Sequence, residues 1–193
     1  MTVLVTVWGY DLTVIECAAV LLAFLAIALG IRGTRWTWPP YLLSSLLYGW
    51  LFVEFKLFAS ASMQLIFMAA AIWGWFSWGR EGVRLPGRLT TATRISGAVT
   101  VLVLWVATAP MLQRIGGAAT WGDAFMLVGS MAGQLLMVLQ KMEAWPVWIV
   151  VNTVGAVLYF SQGLYFTSVF YAALILMAVS GWRAWSARAA VHA

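Results

Sequence analysis

Residues 13–31 read TVIECAAVLLAFLAIALGI. Only Glu16 in that stretch is charged, and it stands one turn from the start. At 1.5 Å per residue, a helix of this length covers roughly the 30 Å of a bilayer's hydrocarbon core. Working outward, apolar runs recur at 39–55, 58–78, 95–112, 123–140, 145–161 and 164–185. With 13–31 they predict seven transmembrane helices. Strands are not expected to span, because a membrane barrel needs alternating polarity rather than continuous apolar runs. Pro39 and Pro146 fall at helix starts, where a missing N–H costs least. The fold class expected is an all-α membrane protein, a single transmembrane domain over 1–193.

Composition agrees. The chain is 64% hydrophobic and 9% charged, against about 25% charged in soluble domains. Too few charged side chains are present to clothe a water-exposed surface. Asp11 and Glu16 stand where a signal peptide would carry positive charge, so a cleaved leader is not expected. Cys17 is the single cysteine, which rules out an internal disulfide. The pI near 9.8 does not point to nucleic acid, because the basic residues lie in short loops where topology explains them.

Those loops set the orientation. With the N-terminus outside, nine basic residues fall inside: Arg32, Arg35, Arg80, Arg84, Arg88, Arg94, Lys141, Arg183 and Arg188. Only Lys56 and Arg114 fall outside. The positive-inside rule therefore predicts an outer N-terminus and a cytoplasmic C-terminus.

The sequence also repeats. Shifted by 107 residues without gaps, Glu16 meets Asp123, Trp38-Pro39 meets Trp145-Pro146, and Leu57-Phe58 meets Leu164-Tyr165. Gly74-Trp75 meets Gly181-Trp182, and Trp78 meets Trp185. Chance matches between apolar helices fall among Leu, Val and Ala; these are Trp, Pro, Gly and acids in one register. The organisation expected is a three-helix repeat at 12–80, a linker with helix four at 81–118, and a second repeat at 119–188. The shift spans four helices, so the two repeats should be parallel. That is a carrier architecture, with its site near the bilayer midplane.

Polar groups within the spans are the candidate site. Gln64, Gln134 and Asn152 are the carboxamides. Each can instead be interhelical glue, at about 0.6 kcal/mol on average. Trp148 and Asn152 lie four apart on one helix face, and Trp145 lies a turn earlier. Such a stripe suits a flat aromatic ring stacked on indole with its edge bonded to an amide. A cationic ring adds cation–π attraction. The competing reading is an interfacial tryptophan belt, which accounts for Trp36, Trp38, Trp78, Trp121 and Trp185. Glu16 and Asp123 stand at matched outer helix ends, where acids favour helix N-termini; a proton relay is the alternative. A membrane enzyme would need a nucleophile, base or metal cluster, yet the only histidine is His192 and the only thiol Cys17. No enzyme activity, cofactor or metal is expected. A non-transporting subunit explains the helices but not the stripe.

The chain resembles the PnuC family of vitamin transporters. The resemblance rests on Trp36-Thr-Trp-Pro39, Leu47-Tyr48, Lys56-Leu57-Phe58, Gln64 and Gly74-Trp75-Phe-Ser-Trp78 in the first half. In the second it rests on Asp123-Ala124, Ser130, Gln134, Lys141, Glu143-Ala-Trp145-Pro-Val-Trp148, Asn152, Leu158-Tyr159, Gly163-Leu-Tyr165, Tyr171 and Gly181-Trp-Arg-Ala-Trp185. It covers about 12–188, with helix four the weak stretch. Members often carry an acid four residues before the helix-three glutamine, where this chain has Ser60. The resemblance implies a SWEET-like 3+1+3 fold and a homotrimer in the bacterial inner membrane. It implies facilitated diffusion of nicotinamide riboside, trapped inside by phosphorylation, with thiamine or riboflavin as alternative cargo. It implies a substrate site at Trp145, Trp148, Asn152, Gln64, Gln134 and Tyr48.

Overall fold

The structure, a computed structural model, describes residues 3–7, 10–54, 58–79, 86–114, 120–163 and 165–191. Lys56, Leu57, Arg80, Arg84, Leu164 and His192, and the side chains of Phe58 and Ser60, lie outside the described residues. The seven expected helices are present: α1 (Val14–Ile31), α2 (Trp38–Glu54), α3 (Phe58–Ser77), α4 (Thr91–Arg114), α5 (Thr120–Val138), α6 (Ala144–Ser161) and α7 (Tyr165–Val191). Five of them, α1 and α4 to α7, are long and apolar enough to cross a membrane, and Ala61–Ser77 is a shorter apolar helix. The chain is a multi-pass helical membrane protein.

Helix ends follow local chemistry. Thr13 caps α1, its Oγ1 accepting from the Glu16 N–H at 3.2 Å, so this acid sits in the favourable first turn. The apolar run of helix four begins at 95, but α4 begins at Thr91. Thr90 starts it early by accepting from the Thr93 N–H at 3.2 Å. Helix α7 runs past Trp185 to Val191, because Ser-Ala-Arg-Ala-Ala carries no breaker. An element beyond the spans is a two-stranded antiparallel hairpin, β1 (Val3–Val7) and β2 (Tyr10–Thr13), with Val7 paired to Tyr10 and Val5 to Leu12. Its β-branched residues suit strands, and β2 leads directly into the α1 cap.

The chain divides into two compact units, Met1–Arg84 and Leu85–Ala193. In the first, α2 packs against both α1 and α3. Small side chains bring α1 and α2 close. Ser44 Oγ donates to the Ala19 carbonyl at 2.8 Å, and Thr37 Oγ1 donates to the Ala26 carbonyl at 2.6 Å. In lipid, where apolar surface gives no net drive to associate, such packing and hydrogen bonds hold helices together.

In the second unit α6 packs against α5 and α7, and α4 against α5. Trp105 donates its indole N–H to the Trp121 carbonyl at 2.8 Å, joining α4 to α5. The segment before α4 is bolted to the α5–α6 turn. The Gly87 N–H donates to Gln140 O at 3.0 Å, and the Met142 N–H donates to Gly87 O at 2.9 Å.

Each unit contains the same tryptophan clasp, 107 residues apart. In the first, Trp38 of α2 lies over Gly74 of α3 and meets Trp78 edge-to-face, centroids 5.1 Å apart at 84°. In the second, Trp145 of α6 lies over Gly181 of α7 and meets Trp185 at 5.3 Å and 89°. All four indoles are at most 2% exposed. The turns agree too. Gly33 ends α1 at φ 64°, and Gln140 follows α5 at φ 52°. The left-handed region is uncommon for a residue with a side chain; the Gly87 hydrogen bond to the Gln140 carbonyl helps hold it there.

Candidate functional site

The candidate residues divide between the units. In the second, the candidates lie on α5 and α6, which pack together. Glycines on one face of α5 let α6 side chains approach. A Cβ on Gly129 would lie 2.7 Å from Val151 Cγ2, and one on Gly133 would lie 3.0 Å from Trp148 Cε2. The half-buried Trp148 ring therefore lies close against the α5 backbone. Asn152, one turn further along α6, is 4% exposed, as is Gln134, the residue after Gly133. Trp148 thus lies on the α5–α6 seam, and α6 and α5 each carry a buried carboxamide near it in sequence, Asn152 and Gln134. A buried carboxamide carries a desolvation cost that a hydrogen bond offsets, from the protein or from a ligand.

Trp145 occupies a different setting. It faces α7, where Gly181 and Trp185 take its ring, and its buried indole N–H has no hydrogen-bond partner among the described residues. It supports the seam by fixing α6 against α7; the indole on the α5 side is Trp148.

In the first unit, Tyr48 of α2 is half-buried and stacks on Phe52, centroids 5.7 Å apart at 20°. Gln64 of α3 is half-buried and packs on α2 at Gly49, beside Tyr48; a Cβ there would lie 3.5 Å from Gln64 Cβ. Gln64 therefore lies on the α2–α3 seam, while the printed ring contact of Tyr48 stays on α2.

The 107-residue register holds a signal that motif reading passes over. It sets Tyr41 on Trp148 and Ser45 on Asn152. Ser45 is 4% exposed, matching Asn152, and Tyr41 meets Phe67 of α3 at 6.1 Å. Each unit thus has a stripe of Trp, a second aromatic and a small polar residue on its middle helix. A second missed group is Tyr171 of α7. A Cβ on Gly155 would lie 2.6 Å from its ring, and its hydroxyl bonds that of Tyr159. Among the described residues, no three His, Cys, Asp or Glu side chains stand together as a metal site.

Comparisons with known proteins identify the family and the fold. A family model described as "Nicotinamide mononucleotide transporter" matches residues 13–187. The chain is 27% identical over 207 residues to the nicotinamide riboside transporter PnuC of Escherichia coli, covering 92% of this chain and 87% of the relative. It is 31% identical over 175 residues to the riboflavin/roseoflavin transporter RibM of Streptomyces davaonensis, covering 84% and 81%. The crystal structure of the vitamin B3 transporter PnuC superposes with a TM-score of 0.75 at 22% identity, covering 93% of this chain and 83% of that one.

Proposed function

The chain belongs to the nicotinamide mononucleotide transporter family, and from that premise we propose that it carries nicotinamide riboside into the cell by facilitated diffusion. The observation that carries the reading is the α5–α6 seam. Trp148 offers an indole for the pyridinium ring, and the buried Asn152 and Gln134 offer groups for its amide and ribose. Gln64 and Tyr48 are proposed as substrate contacts in the first repeat, and Trp145 braces α6 in the second. Uniport is favoured because Glu16 and Asp123 stand in the first turns of α1 and α5, not in mid-helix. The protein acts as a carrier, not an enzyme.

Riboflavin is the second reading, favoured by the 31% identity to RibM. Titration of the purified protein with nicotinamide riboside, riboflavin and thiamine decides between cargoes. Tightest binding of nicotinamide riboside is expected. Tighter binding of either other vitamin would reassign the substrate without disturbing the family.

The proposed setting is the bacterial inner membrane, as a homotrimer, with the N-terminus outside and the C-terminus in the cytoplasm. The nine-to-two bias of basic residues supports that orientation. Cysteine labelling of intact cells, in a variant lacking Cys17, is expected to modify position 2 and spare position 86. The opposite pattern would reverse the topology. The proposed organisation is two parallel repeats, 12–80 and 119–188, joined by α4. The matched clasps and the paired turns at Gly33 and Gln140 support it. An experimental structure in which 16–78 and 123–185 fail to superpose in the same direction would remove it.

A further inference from the structure

A cavity of about 300 Å³ lies in the second unit, away from the α5–α6 seam. Arg88, Arg94, Met142, Glu143, Pro146 and Trp182 line it. Three helix ends converge there: the starts of α4 and α6 and the last turns of α7. Glu143 pairs internally through one oxygen, while its Oε2 is buried with no hydrogen-bond partner among the described residues. Its Oε1 accepts from the Leu89 N–H at 3.1 Å and from Arg94, with Nη2 at 2.7 Å. Arg94 keeps about half its side chain exposed (49%). Arg88 is exposed and has no ion-pair or hydrogen-bond partner among the described residues. Lys141 adds a further cation close by, since a Cβ on Gly87 would lie 3.1 Å from its Nζ.

The corner therefore holds more positive charge than its single carboxylate offsets. The first turn of α6 adds the positive end of its dipole, with no side-chain cap on Glu143 to quench it. Below the charges the wall is apolar, formed by Met142 and Pro146. Trp182, 46% exposed, is a residue type that favours the headgroup level of a bilayer. Cations above an apolar wall at a membrane boundary match a phosphate group that continues into a lipid tail.

We propose that this corner is a binding site for the phosphate of an anionic phospholipid headgroup, with Arg88 and Arg94 as its cationic contacts and Trp182 beside the glycerol. The lipid binds independently of the transported substrate and holds the 86–94 segment against the α5–α6 turn from outside.

The test measures lipid retention. Purified protein is stripped with detergent, offered equal amounts of phosphatidylglycerol and phosphatidylcholine, and read by native mass spectrometry. Wild type is expected to keep phosphatidylglycerol preferentially. Arg88→Glu reverses one charge and should lower that retention on the order of tenfold. Arg88 has no partner to lose among the described residues, so the variant should fold normally. Arg183→Glu, outside the cavity on the same helix end, should leave retention within about twofold of wild type. Equal retention of both lipids, no effect of Arg88→Glu, or an equal loss in Arg183→Glu overturns the site. Displacement of the lipid by millimolar inorganic phosphate would assign the corner to free phosphate and overturn the lipid assignment.

Discussion

Trp148→Ala should weaken nicotinamide riboside binding at least as much as Asn152→Leu, and Asn152→Leu should weaken it by about 5- to 150-fold. The second figure follows from hydrogen bonding. Leucine keeps most of the bulk but leaves a desolvated ligand group unpaired, at roughly 1–3 kcal/mol, and about 1.4 kcal/mol is tenfold in affinity. Trp148→Ala removes stacking area and cation–π attraction together. A packing role makes a different forecast. Trp148 lies close over Gly133, so if packing is its only role, truncation lowers stability and leaves affinity intact. Calorimetric titration on folded protein, with thermal unfolding measured alongside, separates the two. Wild-type affinity of both variants for nicotinamide riboside, thiamine and riboflavin would take the stripe out of the site.

Gly181→Ala should destabilise the protein by about 3 kcal/mol, the upper part of the overpacking range. A methyl there would overlap the six-membered ring of Trp145. That ring cannot retreat, because Trp185 stands against it edge-to-face. Gly74→Ala should behave alike, since Trp38 and Trp78 form the matching clasp. For a chain of this size the loss corresponds to a fall in Tm of roughly 6–12 °C. Gly97→Ala is the control. Nothing lies within 4 Å of a Cβ there, so its effect should stay within about 0.5 kcal/mol. Tm in detergent checks all three. Wild-type stability in both Gly74→Ala and Gly181→Ala would mean that the clasps do not hold the bundles. Ligand binding by the surviving Gly181→Ala protein should stay close to normal, which distinguishes the brace from the site.

The two predictions meet at Trp145, where reading the chain and seeing it folded part company. Along the sequence, Trp145, Trp148 and Asn152 form one stripe, and spacing alone treats both indoles as candidates for a ligand. In the fold, Trp145 belongs to the α6–α7 clasp and Trp148 to the α5–α6 seam. Helical periodicity states which residues share a face of α6. It does not state where the neighbouring helices run, and the stripe is wide enough to touch two of them.

The sequence by itself determined the seven helices, nearly to their ends, because an unbroken apolar run has one solution in lipid: a helix whose backbone bonds itself. It also determined the internal register, since Trp, Pro and Gly recur at 107 residues where apolar composition cannot place them by chance. Helix four's true start at Thr91 was less visible, because a threonine cap is polar and lies outside the hydrophobic pattern. Only the tertiary structure decided which glycines are contact points and which are open. Gly181 and Gly97 are alike in sequence, but a tryptophan ring occupies the space beside one and nothing occupies the space beside the other. Tertiary structure likewise gathered Arg88, Arg94, Glu143 and Trp182 from three separate stretches into one corner. No local spacing encodes that meeting, because it depends on how the helix ends are brought together in space.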